Sequence, residues 1–264
     1  MAPDPSRRGR LPGRAPGLAL EHELARDGTR RVGGMDEVGR GALAGPVTVG
    51  VVVLHPGTRR GVPGLRDSKL LSPARRQELV PRVLAWCAAA GVGHSSPAEI
   101  DGLGLTAALR LAGHRALAAA GVAVPDVVLL DGRHDWLSPP GAPALFGDPG
   151  PGGPGPGDPP AAGEPGEGPA PEPAWTGEVV PRVRADLDCA SVAAASVLAK
   201  VERDRIMSEL AADWPQYGWG TNMGYGAAGH RSALAAHGPS PHHRLSWRLG
   251  PGPGPLRTDR EGTA

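Results

Sequence analysis

Lysine is almost missing from this 264-residue chain: of 28 Lys and Arg residues, only Lys69 and Lys200 are lysines. Arginine fills nearly every other basic position, in a chain also rich in Ala, Gly and Pro, which is the pattern of a GC-biased coding sequence. A lysine that survives such drift marks a place where a planar guanidinium does not replace a compact ammonium. Chance survival is the plain alternative for either one. Asn222, the only asparagine, invites the same argument. Cysteine is equally scarce. Cys87 and Cys189 lie in apolar or mixed surroundings, which excludes a disulfide framework, argues against a zinc site and indicates a reducing compartment. No segment approaches the roughly eighteen apolar residues of a membrane span. No apolar signal-peptide core follows Arg7, Arg8, Arg10 and Arg14, so a cytoplasmic protein with no membrane partner is expected. Charge of one sign is lacking too. A net +1 excludes the broad basic field of many nucleic-acid binders and leaves recognition of such a partner to local clusters.

Glycine and proline, at 41 and 31 residues, are in excess, and they are unevenly spread. Residues 1–30 are Pro-, Gly- and Arg-rich without a sustained period and predict a disordered tail. In the segment 138–174 about two thirds of the residues are Gly or Pro with no strict Gly-X-Y period, which predicts a flexible insertion and not collagen. Residues 251–264 predict a second tail. What remains, 31–250, is one domain. Within it, 32–37 and 47–54 read as neighbouring strands around a Gly-rich turn. Ser72 and Pro73 open a helix that runs to about Ala90, with Pro81 kinking or splitting it. A strand surrounds Val92, and the capping-box spacing of Ser96 and Glu99 precedes a helix continuing from Leu105 to Ala120. Strands at 127–130 and 179–184 and a long helix from Ser191 to about Trp214 complete the order. This succession indicates an α/β fold, a mixed sheet with helices packed on it.

Asp36 and Glu37 end the first strand. Adjacent acids on a strand point to opposite faces and cannot both be packed inward cheaply. If both approach one centre, a divalent cation is the natural reason, because hard cations take carboxylate oxygens and neutralise charges that otherwise repel. A solvated strand end with no role is the other reading. The following Gly39-Arg40-Gly41 combines close backbone approach with fixed donors, which suits a phosphate or sugar edge. Asp131 also ends a strand, where open α/β sheets keep their ligands.

The run from Gly34 to Val47, GMDEVGRGALAGPV, resembles the signature of the ribonuclease HII family. Further blocks of the family follow in order: Asp67-Ser68-Lys69, Leu129-Leu130-Asp131-Gly132, Ala185-Asp186 with 191–204, Gly224-Tyr225-Gly226, and His243-Arg244-Leu245-Ser246-Trp247. The resemblance covers about 32–249, the insertion apart. It implies a ribonuclease H-like mixed sheet flanked by helices, with a C-terminal helical extension. It also implies four metal-binding catalytic carboxylates, Asp36, Glu37, Asp131 and Asp186, which hold two ions of Mg²⁺ or Mn²⁺. Asp188 competes with Asp186, and alternation along a strand places both on one face. The implied substrates are RNA/DNA hybrids and DNA duplexes with embedded ribonucleotides, cut 5′ of the ribonucleotide to leave 3′-hydroxyl and 5′-phosphate ends. The implied roles are ribonucleotide removal from DNA and removal of RNA primers, by a monomer. Gly39, Arg40 and Gly41 are implied to read the 2′-hydroxyl, the group that separates RNA from DNA, and Tyr225 to stack on the next deoxyribose; core packing is the alternative for Tyr225. Lys69 and Lys200 are assigned to the substrate backbone, or to holding a carboxylate in place. Arg203, Asp204 and Arg205 read as a solvated, internally paired helix face. Met223 and Ala227 depart from the Lys and Thr that many members carry there. The related ribonuclease HIII family departs from Gly-Arg-Gly and is the nearest rival. A non-catalytic nucleic-acid binder is disfavoured, since four acids on a phosphate path repel nucleic acid unless metal is present.

Overall fold

The computed structural model describes residues 15–26, 28–121, 124–139 and 175–250. Its centre is a five-stranded sheet in the order β3-β2-β1-β4-β5, formed by β1 (Val32–Val38), β2 (Val47–Val53), β3 (Ala89–Ser95), β4 (Val127–Asp131) and β5 (Glu178–Arg182). The first three strands are an antiparallel meander, while β4 and β5 join β1 in parallel. The mixed sheet expected from the element order is therefore present.

Strand periodicity divides the sheet between two helical layers. On one face Met35, Val47, Val49, Val51, Val53, Val128 and Leu130 pack against α3 (Pro97–Leu103) and α4 (Leu105–Ala119) through Ile100, Leu109 and Ala112. On the other, Val52 packs against α2 (Pro73–Trp86) and, beyond the short α5 (Ala185–Asp188), the long α6 (Ala190–Asp213). The start of α6 is nearly all small residues, and it lies directly on strand backbone: a Cβ built at Gly50 comes within 2.4 Å of the Ala195 carbonyl oxygen. This contact fixes α6 against β2 and so beside β1, the strand that carries Asp36 and Glu37.

Two expectations fail. The tail expected through residue 30 is ordered from residue 15: α1 (Ala19–Ala25) buries Leu18 and Glu21. Glu21 Oε1 accepts bonds from Ser191 N at 3.0 Å and Ser191 Oγ at 2.9 Å, and so caps α6, whose own N-cap residue Cys189 makes no side-chain cap bond. One seven-residue helix is too short to announce itself by periodicity. Pro81, expected to kink or split its helix, does not split it: α2 is continuous from Pro73 to Trp86. Pro81 and Gln77 are exposed, so water satisfies the carbonyl that the proline leaves without a donor. The residues 1–14, 140–174 and 251–264 of the expected tails and insertion lie outside the described residues. The C-terminal layer consists of α7 (Trp219–Asn222), α8 (Ala228–His237) and the segment to Gly250, and it packs Tyr217, Trp219 and Leu234 on Leu43, Ala44 and Met207.

Candidate active site

The site forms where β1 and β4 end side by side. Met35 pairs with Leu130 in parallel register, so Asp36 and Asp131 are the next residues of the two neighbouring strands. Asp36 pairs with Gly50 and lies on the sheet face covered by α6. Its carboxylate is buried, with Oδ1 accepting the Glu37 N–H at 2.8 Å and Ser196 of α6 as a further partner. Glu37 follows in β1, paired with Val49, and lines the cleft that Ser68 and Lys69 share. Its Oε2 is buried and has no hydrogen-bond partner among the described residues. Asp131 Oδ1 accepts the Ala185 N–H at 2.7 Å, which ties the end of β4 to α5 and brings Asp186 in beside it.

Asp186 and Asp188 separate cleanly here. The segment is a helical turn and not a strand, so residues two apart point in different directions. Asp186 is buried and meets the Lys69 Nζ at 3.5 Å. Asp188 is exposed and meets Arg182 at 3.8 Å on the outside. The assumption of strand alternation was the error.

These acids repel one another in a dry place. Burial first, then Glu37 and Asp131, push the Asp36 carboxyl well above the usual carboxylate range. Burial raises Glu37 to about 7, with Asp131 adding to the rise and Arg40 opposing it. Burial again leads for Asp186, followed by Asp131 and Asp67, and together they outweigh the nearby Lys69. Lys69 answers in kind: burial works against its charge, but Asp67, Asp186 and Asp36 prevail and raise its pKa. One ammonium thus faces a cluster of carboxylates, and it is 73% exposed.

Such a cluster suits a hard divalent cation. The donors are all carboxylate oxygens, the buried Glu37 Oε2 has no hydrogen-bond partner among the described residues, and Asp131 adds to the burial that raises both Asp36 and Glu37. Among the described residues no three His, Cys, Asp or Glu side chains stand close enough to hold a cation as they are. The donor set fits the group.

One cleft beside the acids is lined by Glu37, Gly39, Arg40, Gly41, Lys69, Lys200 and Tyr225, with Val38 and Ser68. All six residues expected to meet substrate share it. Gly39 has φ +88°, and a Cβ there would meet the Arg203 Nε at 2.1 Å, so only glycine fits the turn. Tyr225 is exposed; the core position belongs to Tyr217. Lys200 is engaged with Asp204 at 2.5 Å, and Asp204 also meets Arg76 at 3.3 Å.

The solvated face expected at 203–205 holds only for Arg205, which pairs with Glu202 and Glu209. Arg203 is fully buried under the C-terminal layer, a long-range contact invisible to local spacing. Sequence reading also missed Ser196 and Asp67, whose carboxylate accepts the Lys69 N–H at 2.9 Å and shapes the turn that presents this lysine. The departures have local consequences. Met223 packs into the C-terminal cluster with φ 50°, and Ala227 is the N-cap of α8 with no side chain to accept its first N–H groups, where a threonine could.

A mixed sheet of this order, with acids converging at the ends of parallel strands, defines a nuclease of the ribonuclease H fold. Residues 33–139 and 170–249 match the family described as Ribonuclease HII. The chain is 44% identical over 241 residues to the ribonuclease HII of Streptomyces griseus, an alignment covering 90% of this chain and 86% of that one. Among solved structures, the ribonuclease H2 of Pyrococcus horikoshii OT3 superposes with a TM-score of 0.58 at 21% identity, covering 83% of this chain and 94% of that chain. A Bst ribonuclease HIII in complex with Mn²⁺ gives 0.58 at 17% identity, covering 91% and 73%. The chain belongs to the ribonuclease HII family. It is a ribonuclease H, an enzyme acting on RNA paired with DNA, and no helix among the described residues is long and apolar enough to cross a membrane.

Proposed function

We propose that this enzyme hydrolyses the phosphodiester on the 5′ side of a ribonucleotide, in RNA/DNA hybrids and at single ribonucleotides embedded in duplex DNA, leaving 3′-hydroxyl and 5′-phosphate ends. The observation that carries this reading is the cleft itself, where an exposed tyrosine, a Gly-Arg-Gly turn and two lysines adjoin buried acids. Asp36, Glu37, Asp131 and Asp186 would hold two divalent ions, Mg²⁺ or Mn²⁺. When bound, these ions supply the positive charge and Lewis acidity that lower the pKa of an attacking water and stabilise the leaving 3′ oxygen.

The protein's own part is recognition and placement. Gly39, Arg40 and Gly41 present backbone and guanidinium donors to the 2′-hydroxyl, the one group that distinguishes the target nucleotide. Tyr225 offers a flat face to the following sugar and favours a deoxyribose there over a second 2′-hydroxyl. Lys69 and Lys200 place point charges along the phosphate path, with Lys69 also steadying Asp186. A net charge of only +1 means that these local groups, and not the overall field, bring the duplex in. Removal of misincorporated ribonucleotides and of RNA primers is the role consistent with this chemistry, carried out by a monomer in the cytoplasm.

Product mapping tests the reading. With a duplex carrying one ribonucleotide and Mg²⁺ or Mn²⁺ present, the cut falls immediately 5′ of that nucleotide and the upstream product is extended by a DNA polymerase, as a 3′-hydroxyl requires. A cut on the 3′ side, or a product with a 2′,3′-cyclic phosphate, contradicts it.

A further inference from the structure

Two arginines are fully buried beneath the cleft. Arg203 and Arg244 are both 0% exposed, and among the described residues neither forms an ion pair. Burying a guanidinium without a carboxylate is costly, and a well-packed apolar side chain would stabilise a purely structural position as well or better. What these two hold is backbone. Arg244 donates to the carbonyls of Gly39 at 2.6 Å, Arg40 at 2.8 Å and Gly45 at 3.2 Å. Arg203 donates to Pro46 at 2.9 Å, Ala44 at 3.2 Å and Met223 at 2.9 Å, and its Cζ lies 5.5 Å from the centroid of the Tyr225 ring.

Trans peptide geometry gives these bonds a consequence in the cleft. In a trans peptide the N–H of the next residue points opposite to the carbonyl. With the Gly39 and Arg40 carbonyls turned down onto Arg244, the N–H groups of Arg40 and Gly41 are turned away from it, on the side where Gly39, Arg40 and Gly41 line the cleft. A fixed positive charge behind the two peptides also polarises them and strengthens their N–H groups as donors. Arg203 bonds at once to the end of the same turn and to the carbonyl just before Gly224-Tyr225.

We infer that Arg244 and Arg203 are positioning residues for ribonucleotide selection: Arg244 aims and strengthens the Gly-Arg-Gly amides as donors, and Arg203 fixes that turn at a set distance from Tyr225. The inference rests on the proposed reading of the 2′-hydroxyl by this turn. A lysine keeps the charge of Arg244 but cannot span carbonyls from three residues.

The test compares kcat/KM on a duplex with one embedded ribonucleotide with kcat/KM on a continuous RNA/DNA hybrid. Arg244→Lys is expected to lower the ratio of the first to the second about tenfold, the equivalent of one net hydrogen bond, with a native circular dichroism spectrum. Arg244→Met is expected to lower it further, and Arg203→Lys to lower it through the Tyr225 side. Arg40→Ala and Tyr225→Ala serve as the reference. If neither of them changes the ratio, the reading of the turn itself is wrong. If both lower it while folded Arg244 and Arg203 variants leave it unchanged, the inference is overturned. A measurement independent of these variants uses Asp36→Asn protein with the single-ribonucleotide duplex: the Gly41 amide gains protection from hydrogen exchange relative to an all-DNA duplex. Equal protection with both duplexes also overturns it.

Discussion

Replacement of Asp36 by Asn, or of Asp131 by Asn, is expected to lower turnover on a single-ribonucleotide duplex by about a thousandfold or more, roughly 4 kcal/mol of transition-state stabilisation. Each substitution keeps the shape of the side chain and removes one anionic oxygen donor. Asp36 and Asp131 are neighbours at the ends of two parallel strands, so either loss opens the same part of the acid cluster. Binding of the duplex is expected to survive, because the groups assigned to it are Arg40, Lys69, Lys200 and Tyr225 in the adjoining cleft. Removing a carboxylate also removes repulsion for phosphate, so affinity holds or rises. Rates determined from single-turnover cleavage and affinities from fluorescence anisotropy decide the matter. A variant that cuts at a near-normal rate in Mg²⁺ refutes the assignment of that residue.

Glu37→Gln is expected to stabilise the protein in the absence of divalent cation. The sign follows from the raised pKa of Glu37, about 7 in the fold against an ordinary 4.5. Between those values the folded state binds more protons than the unfolded chain, so stability is present below pH 4.5 and is lost as pH rises through 7. At pH 8 the ionised Glu37 therefore costs up to about 3 kcal/mol, which a neutral amide does not. Thermal melts in chelator should show the Gln variant more stable at pH 8 and the difference shrinking toward pH 5. Addition of Mg²⁺ or Mn²⁺ should reverse the order, since only the carboxylate gains from the cation. Equal melting temperatures at pH 8 in chelator would falsify the view that the site carries unbalanced charge.

How far the sequence announced this arrangement depends on how local each feature is. Asp36, Glu37 and Asp131 are legible because each ends an apolar run of strand length, and a strand end is where the sheet delivers a side chain to a site. The glycines of the turn are legible for a similar reason, since Gly39 needs both a positive φ and the absence of a Cβ. Asp186 was legible only through the family block. Two acids two residues apart look equivalent on a strand, and nothing in Ala185–Asp188 signals that four residues wind into a helical turn that buries one and exposes the other. Arg203 was misread for a deeper reason. Arg205 does form surface pairs, with Glu202 and Glu209, but the next layer of the fold, contributed by 215–249, closes over one side of α6. No periodicity within a helix records what a segment twenty residues later will cover. The same holds for α1, whose role comes from Glu21 meeting Ser191 across the fold.

The central claim is that Asp36, Glu37, Asp131 and Asp186 form a cation-dependent centre for cutting beside a ribonucleotide. Its most direct test is cleavage of one duplex with a single ribonucleotide, with and without Mg²⁺ or Mn²⁺, by the parent enzyme, Asp186→Asn and Asp188→Asn. The account predicts cutting only with cation, near-complete loss for Asp186→Asn, and parent-like cutting for Asp188→Asn, whose carboxylate faces solvent beside Arg182. Cutting in chelator, or an Asp188→Asn loss as large as that of Asp186→Asn, contradicts it.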